Sequence, residues 1–336
     1  MVIPSQPASP AWAPFRIEPK FSLRVWGWRD LRPWYDLVAD SGDPVGEAWL
    51  TGDECVASSG AHAGKTLGSL FAENPETLLG KSAPRTGSPL LIKVIFAREK
   101  LSVQVHPDDV MAQKYGDPRG KTECWYALDA EPGAQVACGL KPGVTLDDVK
   151  AGIESGTLES SLNLVDVFPG DTIFVDAGTV HAIWPGSILL ETQQNCDLTY
   201  RMYDYGRGRE LHIAKSLEAT RLKTRAGKVP ARVLPDRVIL IDGDYFRVER
   251  IPVAGSRTSA SLTSDDQSGP GLAYLFVAHG SVKIVGDGFD AFELPKGGIV
   301  AIPAASPEFV VQDLSGQALT GLELMRISPR WPQTEG

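Results

Sequence analysis

Several stretches of this sequence place polar side chains where a β-strand would carry apolar ones. In Leu101–Pro107, LSVQVHP, an extended chain puts alternate side chains on one face, so Ser102, Gln104 and His106 point one way and Val103 and Val105 the other. Three polar groups in register on a strand face are costly to bury unless they meet water, hydrogen-bond partners or a metal. The pattern returns at Lys121-Thr122-Glu123-Cys124-Trp125, where Lys121, Glu123 and Trp125 share a face. In Ile188–Arg207, Leu189, Glu191 and Gln193 share a face, and Arg201 sits between Tyr200 and Met202. Lys93 is a single ammonium within LLIKVIF, so it is buried and paired or it lines a polar cavity. Lys93, Lys121 and Arg201 together would supply positive charge to an anionic ligand.

A further pattern begins at Gly170: five residues, then Asp176-Ala177-Gly178, two residues, then His181. It resembles the second cupin motif, G(X)5PXG(X)2H, with Asp176 where proline is usual. The first cupin motif commonly supplies two histidines and a glutamate; here Gln104 stands for the first histidine, and His106 and Glu123 follow. Gln104, His106, Glu123 and His181 therefore form a candidate N/O ligand set. Imidazole and carboxylate without thiolate suit zinc, iron, manganese or cobalt.

The elements around these residues read as all-β with helical insertions. Gly and Pro, 34 and 25 residues, punctuate short runs rich in Val, Ile, Leu and Phe, which is strand-and-turn chemistry. Strands are predicted over 90–96, 102–106, 124–128, 172–176, 187–193, 238–242 and 246–251, and again over 272–278, 281–285, 298–302 and 308–312. Helices are predicted over 66–79, with Pro75 as a break, over 145–155, opened by a Thr145 cap, and over 209–221. Residues 220–235 read as a connector. The first dozen residues, rich in Pro, Ala and Ser, read as frayed.

Composition excludes several classes of function. A formal charge of -9 argues against a nucleic-acid footprint or a polybasic membrane surface. No apolar run approaches the roughly 20 residues of a membrane-spanning helix, and the N-terminus lacks a signal-peptide pattern. Four spaced cysteines without a CxxC read as reduced thiols, so a cytoplasmic protein is expected.

The segments LSVQVHPDD, GKTECWYAL, HAI and ILLETQQNCDLTYRMYDYGR resemble, in order, the hallmark segments of type I mannose-6-phosphate isomerases. RVWGWRDLRPWY, GEAWL and AGKTLGSLF are similar to the opening of bacterial members. The resemblance implies two cupin (jelly-roll) β-barrels: a flexible segment 1–20, a catalytic metal-binding domain 21–235 and a degenerate domain 236–336 without ligands. It implies one Zn2+ on Gln104, His106, Glu123 and His181, with Arg201 as the active-site arginine. Lys93, Ser102, Lys121 and Glu191 would line a sugar-phosphate pocket, and Trp184-Pro185, where glycine is common, would narrow it. A monomer or weak homodimer is expected, with a small-molecule sugar phosphate as substrate and neither nucleic acid nor membrane as partner.

The implied reaction interconverts mannose 6-phosphate and fructose 6-phosphate through a cis-enediolate. Glu191 and Lys121 are both candidates for the general base, and a cation is needed where charge gathers on oxygen. Two readings of other classes compete: a cupin oxygenase, from the His106, His181 and Glu123 set, and a non-catalytic sugar-phosphate-binding module.

Overall fold

The computed structural model describes residues 12–81, 83–85, 87–253, 255–262, 271–315 and 322–332, and the statements below concern those residues. The frayed stretch expected at the N-terminus lies outside them as far as residue 11. Most of the chain is β-structure with a few short helices, as the Gly/Pro punctuation requires.

Two compact units divide the chain. One comprises Phe21–Trp49 and Leu90–Pro230; the other draws on Met1–Lys20, Leu50–Pro89 and Ala231–Gly336. The first unit holds a seven-stranded sheet in the order Gly227–Lys228, Thr172–Val175, Glu123–Ala130, Ser187–Gln194, Leu90–Ala97, Val45–Trp49 and Lys20–Trp28. Its second sheet runs Tyr200–Tyr203, Val103–Val105, His181–Ile183, Gln135–Leu140 and Leu162–Asp166. Ile95, Trp125, Ile173 and Leu189 from the larger sheet and Val136, Cys138 and Ile183 from the smaller one share a single core, so the two sheets face each other.

The outer face of the smaller sheet is covered as well. Val103 and Val105 pack with Val149 and Ile153 of the helix Leu146–Ser155, so the alternate residue, Gln104, turns to the space between the sheets. A reciprocal cap starts that helix: the Asp148 amide donates to Thr145 Oγ1 at 3.2 Å, and the Thr145 amide donates to Asp148 Oδ2 at 2.9 Å.

In the second unit an eight-stranded sheet runs Arg232–Val233, Val238–Asp242, Phe246–Val253, Leu322–Pro329, Ala273–His279, Ile299–Ile302, Phe15–Glu18 and Val56–Ala57. A four-stranded sheet runs Ser256–Thr258, Phe309–Asp313, Ser281–Gly286 and Phe292–Pro295. Ile251, Leu275, Val300 and Leu324 of the first meet Val282, Ile284, Leu294 and Val311 of the second in one core.

The structure differs from the sequence reading in its boundaries. Residues 12–20 include a strand, Phe15–Glu18, that pairs with Ile299–Ile302 and Val56–Ala57, so this part of the expected flexible segment is a component of the C-terminal unit. Residues 50–89 join that unit too, and it resumes at Ala231 instead of 236. Local patterning cannot reveal such long-range pairing. The helix expected over 66–79 is two helices, Leu67–Glu73 and Pro75–Leu79, because Pro75 opens the second where its missing amide is harmless. The helix expected over 209–221 is confined to Ile213–Ala219, and the connector carries the two short strands Gly227–Lys228 and Arg232–Val233.

Thr145→Ala removes the cap of Leu146–Ser155 and should lower stability by about 1 kcal/mol. Urea denaturation should show a lower midpoint with an unchanged slope. An unchanged midpoint would mean that packing of Val149 and Ile153 alone holds the helix.

Candidate metal centre and active site

Register places the chemistry at one end of the space between the sheets. Across the larger sheet, Trp49 pairs with Lys93, Lys93 with Glu191, Glu191 with Trp125, and Trp125 with Ile173. Residues in one row share a face, so Lys93 and Glu191 stand side by side. Two residues along, the row is Leu91, Gln193, Glu123 and Val175; two residues the other way it is Ile95, Leu189 and Ala127. One face thus passes from an apolar end to a polar end within three rows. Across the smaller sheet, Arg201 pairs with Gln104, Gln104 with His181, and His181 with Cys138.

Glu123 is completely buried between two imidazoles. Its carboxylate lies 3.5 Å from His106 Nε2 and 3.4 Å from His181 Nε2. The other ring nitrogens are engaged: His106 Nδ1 meets Leu198 O at 2.9 Å, and His181 Nδ1 meets Thr179 O at 2.8 Å. Donating to these carbonyls fixes the tautomer that turns both Nε2 lone pairs to the centre. One ligand atom from each of the three residues lies within 4.8 Å of the others. Gln104 Nε2 is 3.2 Å from His181 Nε2, which brings the side-chain amide to the same point.

His106 Nε2 and Glu123 Oε1 are buried without a hydrogen-bond partner. Orphaned acceptors in a dry site call for a cation, and an N/O set of this kind fits a divalent metal ion. Gly178, at φ +88°, makes the tight turn before His181, and its amide donates to His106 O at 2.8 Å, tying the two ligand segments together. Asp176, at the usual proline position, serves the same turn by accepting from Thr179 Oγ1 at 2.9 Å.

Beside the ligands runs a buried chain of alternating charge. Lys93 Nζ is 3.4 Å from Glu191 Oε1, Glu191 Oε1 is 4.0 Å from Lys121 Nζ, and Lys121 Nζ is 2.9 Å from Glu123 Oε2. Trp125 Nε1 donates to Glu191 Oε2 at 2.9 Å. Burial and the neighbouring Glu191 push the Glu123 carboxyl up to about 7 despite Lys121. Burial likewise holds His181 at about 4, and burial with the Lys121 charge keeps His106 well below the usual imidazole range. For the lysines, burial is outweighed by carboxylates, Glu47 and Glu191 at Lys93 and Glu123 and Glu191 at Lys121, so both ammoniums are held above their ordinary value. Glu191 moves down, because Lys121 and Lys93 overcome its burial.

These groups open on a cavity of about 480 Å³ lined by Lys93, Ser102, Gln104, Lys121, Glu191 and Arg201. Arg201 is anchored by Nη1 on Glu210 O at 2.9 Å, while its Nε is buried without a hydrogen-bond partner. All nine residues singled out in the sequence therefore meet at one end of one unit. Trp184 is not among the residues that line the cavity; its ring lies 4.3 Å from Lys100 Nζ.

Other contributors went unrecognised. Asp197 Oδ1 is 3.3 Å from Lys93 Nζ, and the Trp49 ring lies 5.1 Å from the same ammonium. Glu47 accepts from Trp49 Nε1 at 2.8 Å and from Arg24 at 3.0 Å. Their only signal was membership of the quoted segments GEAWL and ILLETQQNCDLTYRMYDYGR, since period-two reading assigns an isolated acid no partner.

Comparison with known proteins bears on this arrangement. Residues 15–139 match the sequence profile of the phosphomannose isomerase type I catalytic domain. The mannose-6-phosphate isomerase ManA of Bacillus subtilis is 34% identical over 315 residues, spanning 89% of this chain and 96% of the relative. The mannose-6-phosphate isomerase of Streptococcus mutans is 31% identical over 306 residues, spanning 86% and 92%. The crystal structure of the mannose 6-phosphate isomerase from Bacillus subtilis matches with a TM-score of 0.80 at 29% identity, covering 94% of this chain and 99% of that one.

The electrostatics set a pH dependence for metal uptake. Below about 7 the metal-free protein carries a proton on Glu123 that must leave on binding, whereas the imidazoles are already neutral. Affinity for a divalent ion should therefore rise by roughly tenfold per pH unit up to that point and then level off. Chelator competition between acid and neutral pH measures this; a flat profile would show that Glu123 is not the residue losing the proton.

Proposed function

The chain is a member of the type I phosphomannose isomerase family, and on that premise we propose that its site interconverts mannose 6-phosphate and fructose 6-phosphate. The observation that carries the reading is the meeting, at one cavity, of a metal-ligand set, the Glu191 carboxylate and the cations Lys93, Lys121 and Arg201. Lys93, Lys121 and Arg201 line the same space as Glu191, with Gln104 of the ligand set at its wall. An anionic sugar fits that charge, and a volume of about 480 Å³ lies in the range of small-molecule sites.

We assign Gln104, His106, Glu123 and His181 to a Zn2+ ion. When bound it supplies Lewis-acid polarisation of a substrate oxygen and charge stabilisation. The protein's own residues divide the remaining work. Isomerisation moves a proton between C1 and C2 and another between the two oxygens, passing through a cis-enediolate. Of the two base candidates, Lys121 is an ammonium held by Glu123 and Glu191, whereas Glu191 is a carboxylate kept ionised by Lys121 and Lys93 and so able to accept a proton. Glu191 is therefore the base that removes the carbon-bound proton, and Lys121 is the donor facing the oxygens. Arg201, which cannot lose its charge near neutral pH, opposes the negative charge that gathers on oxygen. Ser102 and Lys93 hold the substrate.

We read each unit as a cupin barrel, the C-terminal one without ligands. The recurrence of one strand order in both supports this reading. The free thiols, three of them buried, suit a cytoplasmic enzyme. The competing oxygenase reading has the two-His, one-carboxylate set in its favour, but it leaves the Lys93, Lys121 and Arg201 lining without purpose.

A coupled assay for fructose 6-phosphate, run anaerobically on zinc-loaded protein, tests the reaction; turnover only in the presence of oxygen would overturn it. Arg201→Ala should lower kcat by on the order of 10²–10³ with a much smaller rise in KM, because the lost donor acts on charge present only in the transition state. Metal content should not change. A kcat within about threefold of wild type would remove Arg201 from the catalytic step.

A further inference from the structure

Arg201 opposes the charge that gathers on oxygen in the proposed reaction, yet few groups hold it. Among the described residues its guanidinium pairs with no carboxylate; Nη1 donates to Glu210 O at 2.9 Å, and Nε is buried without a hydrogen-bond partner. Its main chain is tied to the same segment, the Arg201 amide donating to His212 Nδ1 at 3.2 Å and the His212 amide to Arg201 O at 2.8 Å. The aim of the guanidinium therefore depends on what fixes residues 204–212, and Glu210 itself is exposed. Local conformation does not fix them. Tyr205 at φ +55°, Gly206 at +74° and Gly208 at +77° are all left-handed. For Tyr205, which carries a side chain, that state persists only where the surroundings impose it.

The surroundings do so at three points. At the base of the segment the buried Asp204 accepts from Arg209 Nε at 2.8 Å. Midway, Arg207 Nη1 donates to Lys100 O at 2.7 Å and Nη2 to Glu99 Oε2 at 3.2 Å. Lys100 is itself held: its Nζ is 4.3 Å from the centre of the Trp184 ring, 5.6 Å from that of Tyr205, and 2.7 and 3.0 Å from the two carboxylate oxygens of Glu159. The same Tyr205 ring lies 5.3 Å from Arg207 Cζ, so a cation of the segment and a cation of its support share one aromatic side chain. The support is built on the ligand strands. Lys100 directly precedes the run that carries Gln104 and His106, Trp184 directly follows His181–Ile183, and the Leu101 amide donates to Ile183 O at 2.8 Å between them. None of Lys100, Trp184 and Arg207 lines the substrate cavity.

We propose that Arg207, docked on Lys100 beside Trp184, is a positioning residue for the isomerisation: it fixes residues 204–212 and, through Glu210 O, aims the Arg201 guanidinium into the cavity. The proposal rests on the role given to Arg201 above, and two readouts keep it separate from that role. Arg207→Ala and Lys100→Gln are made in the zinc-loaded full chain; the lysine variant, which loses only a partly exposed ammonium, decides the matter if the arginine variant does not fold. Amide hydrogen exchange over residues 204–212 should quicken at least about fivefold in both variants, with the other strands unchanged. With mannose 6-phosphate, kcat should fall roughly tenfold while KM changes far less, the mark of a misaimed group. Added to Arg201→Ala, the same substitutions should lower kcat by less than about twofold more, because the group they aim is gone. Unchanged exchange overturns the proposal, as does a kcat near that of wild type. So does a loss that persists undiminished on Arg201→Ala, since Arg207 would then act on something else. Wild-type protein without turnover would refute the isomerase reading instead, while exchange in the variants still decides whether Arg207 and Lys100 hold the segment.

Discussion

Everything at the catalytic end depends on burying Lys93, Glu191, Lys121 and Glu123 as one alternating chain. Each charge taken alone would lose several kcal/mol of solvation, and the attraction returns that loss only while every member has an opposite neighbour. The chain meets this condition, with successive separations of 3.4, 4.0 and 2.9 Å. Removing one member leaves its neighbours uncompensated, a penalty of roughly 3–5 kcal/mol for a buried pair. With Glu123 ionised the chain is neutral as a whole, and an added metal cation and Arg201 make the cavity net positive. The neutral chain is thus what lets the site carry charge for an anion without the unit unfolding from self-repulsion.

The sandwich makes such a chain possible by dividing the work between rows. Ile95, Leu189 and Ala127 close one end of the space between the sheets with apolar contacts, and Trp125 forms the boundary. Its ring packs in the core, edge-on to His181 at 5.6 Å, while its Nε1 donates to Glu191. One residue therefore joins the apolar end, a ligand and the charge chain. A smaller residue there would remove packing and a carboxylate's donor together.

Much of this was legible in the sequence because a strand has a period of two. Ser102, Gln104 and His106 could be placed on one face without any structure, and the opposite face, Val103 and Val105, does pack outward under a helix. The Gly178 turn and Thr145 cap were legible because their residue types answer local backbone needs. What could not be read is pairing across long separations. Nothing local says that Lys93 will stand beside Glu191, or that Phe15–Glu18 will complete a sheet with Ile299–Ile302. Glu249 and Arg326 were invisible for the same reason. In FRVERIPV and LELMRISP, charge alternating with aliphatics looks like an ordinary strand with one wet face, and only the register turns those charges inward.

The recurrence of one strand order shows which part of the design is fixed and which is open to change. In both units the apolar rows are conservative in kind: Ile95, Leu189 and Ala127 in one, Ile251, Leu324 and Val277 in the other. Those rows and their counterparts on the facing sheet form the apolar core of each sandwich. In register, Glu249 and Arg326 stand where Lys93 and Glu191 do, and Ala273 where Glu123 does. The polar end is then constrained only by the need to balance its charges, and balance does not specify sign. A Lys–Glu pair and a Glu–Arg pair satisfy it equally, so one frame accommodates a metal-bearing centre in one unit and an arginine cluster in the other. What distinguishes them is the neighbouring row. Glu123 there, between two imidazoles, completes a ligand set; Ala273 in the same position leaves none, and the space is taken by guanidiniums gathered on Glu249. A single position in the sheet, carboxylate or methyl, separates a site that can hold a cation from an arginine cluster gathered on a buried glutamate.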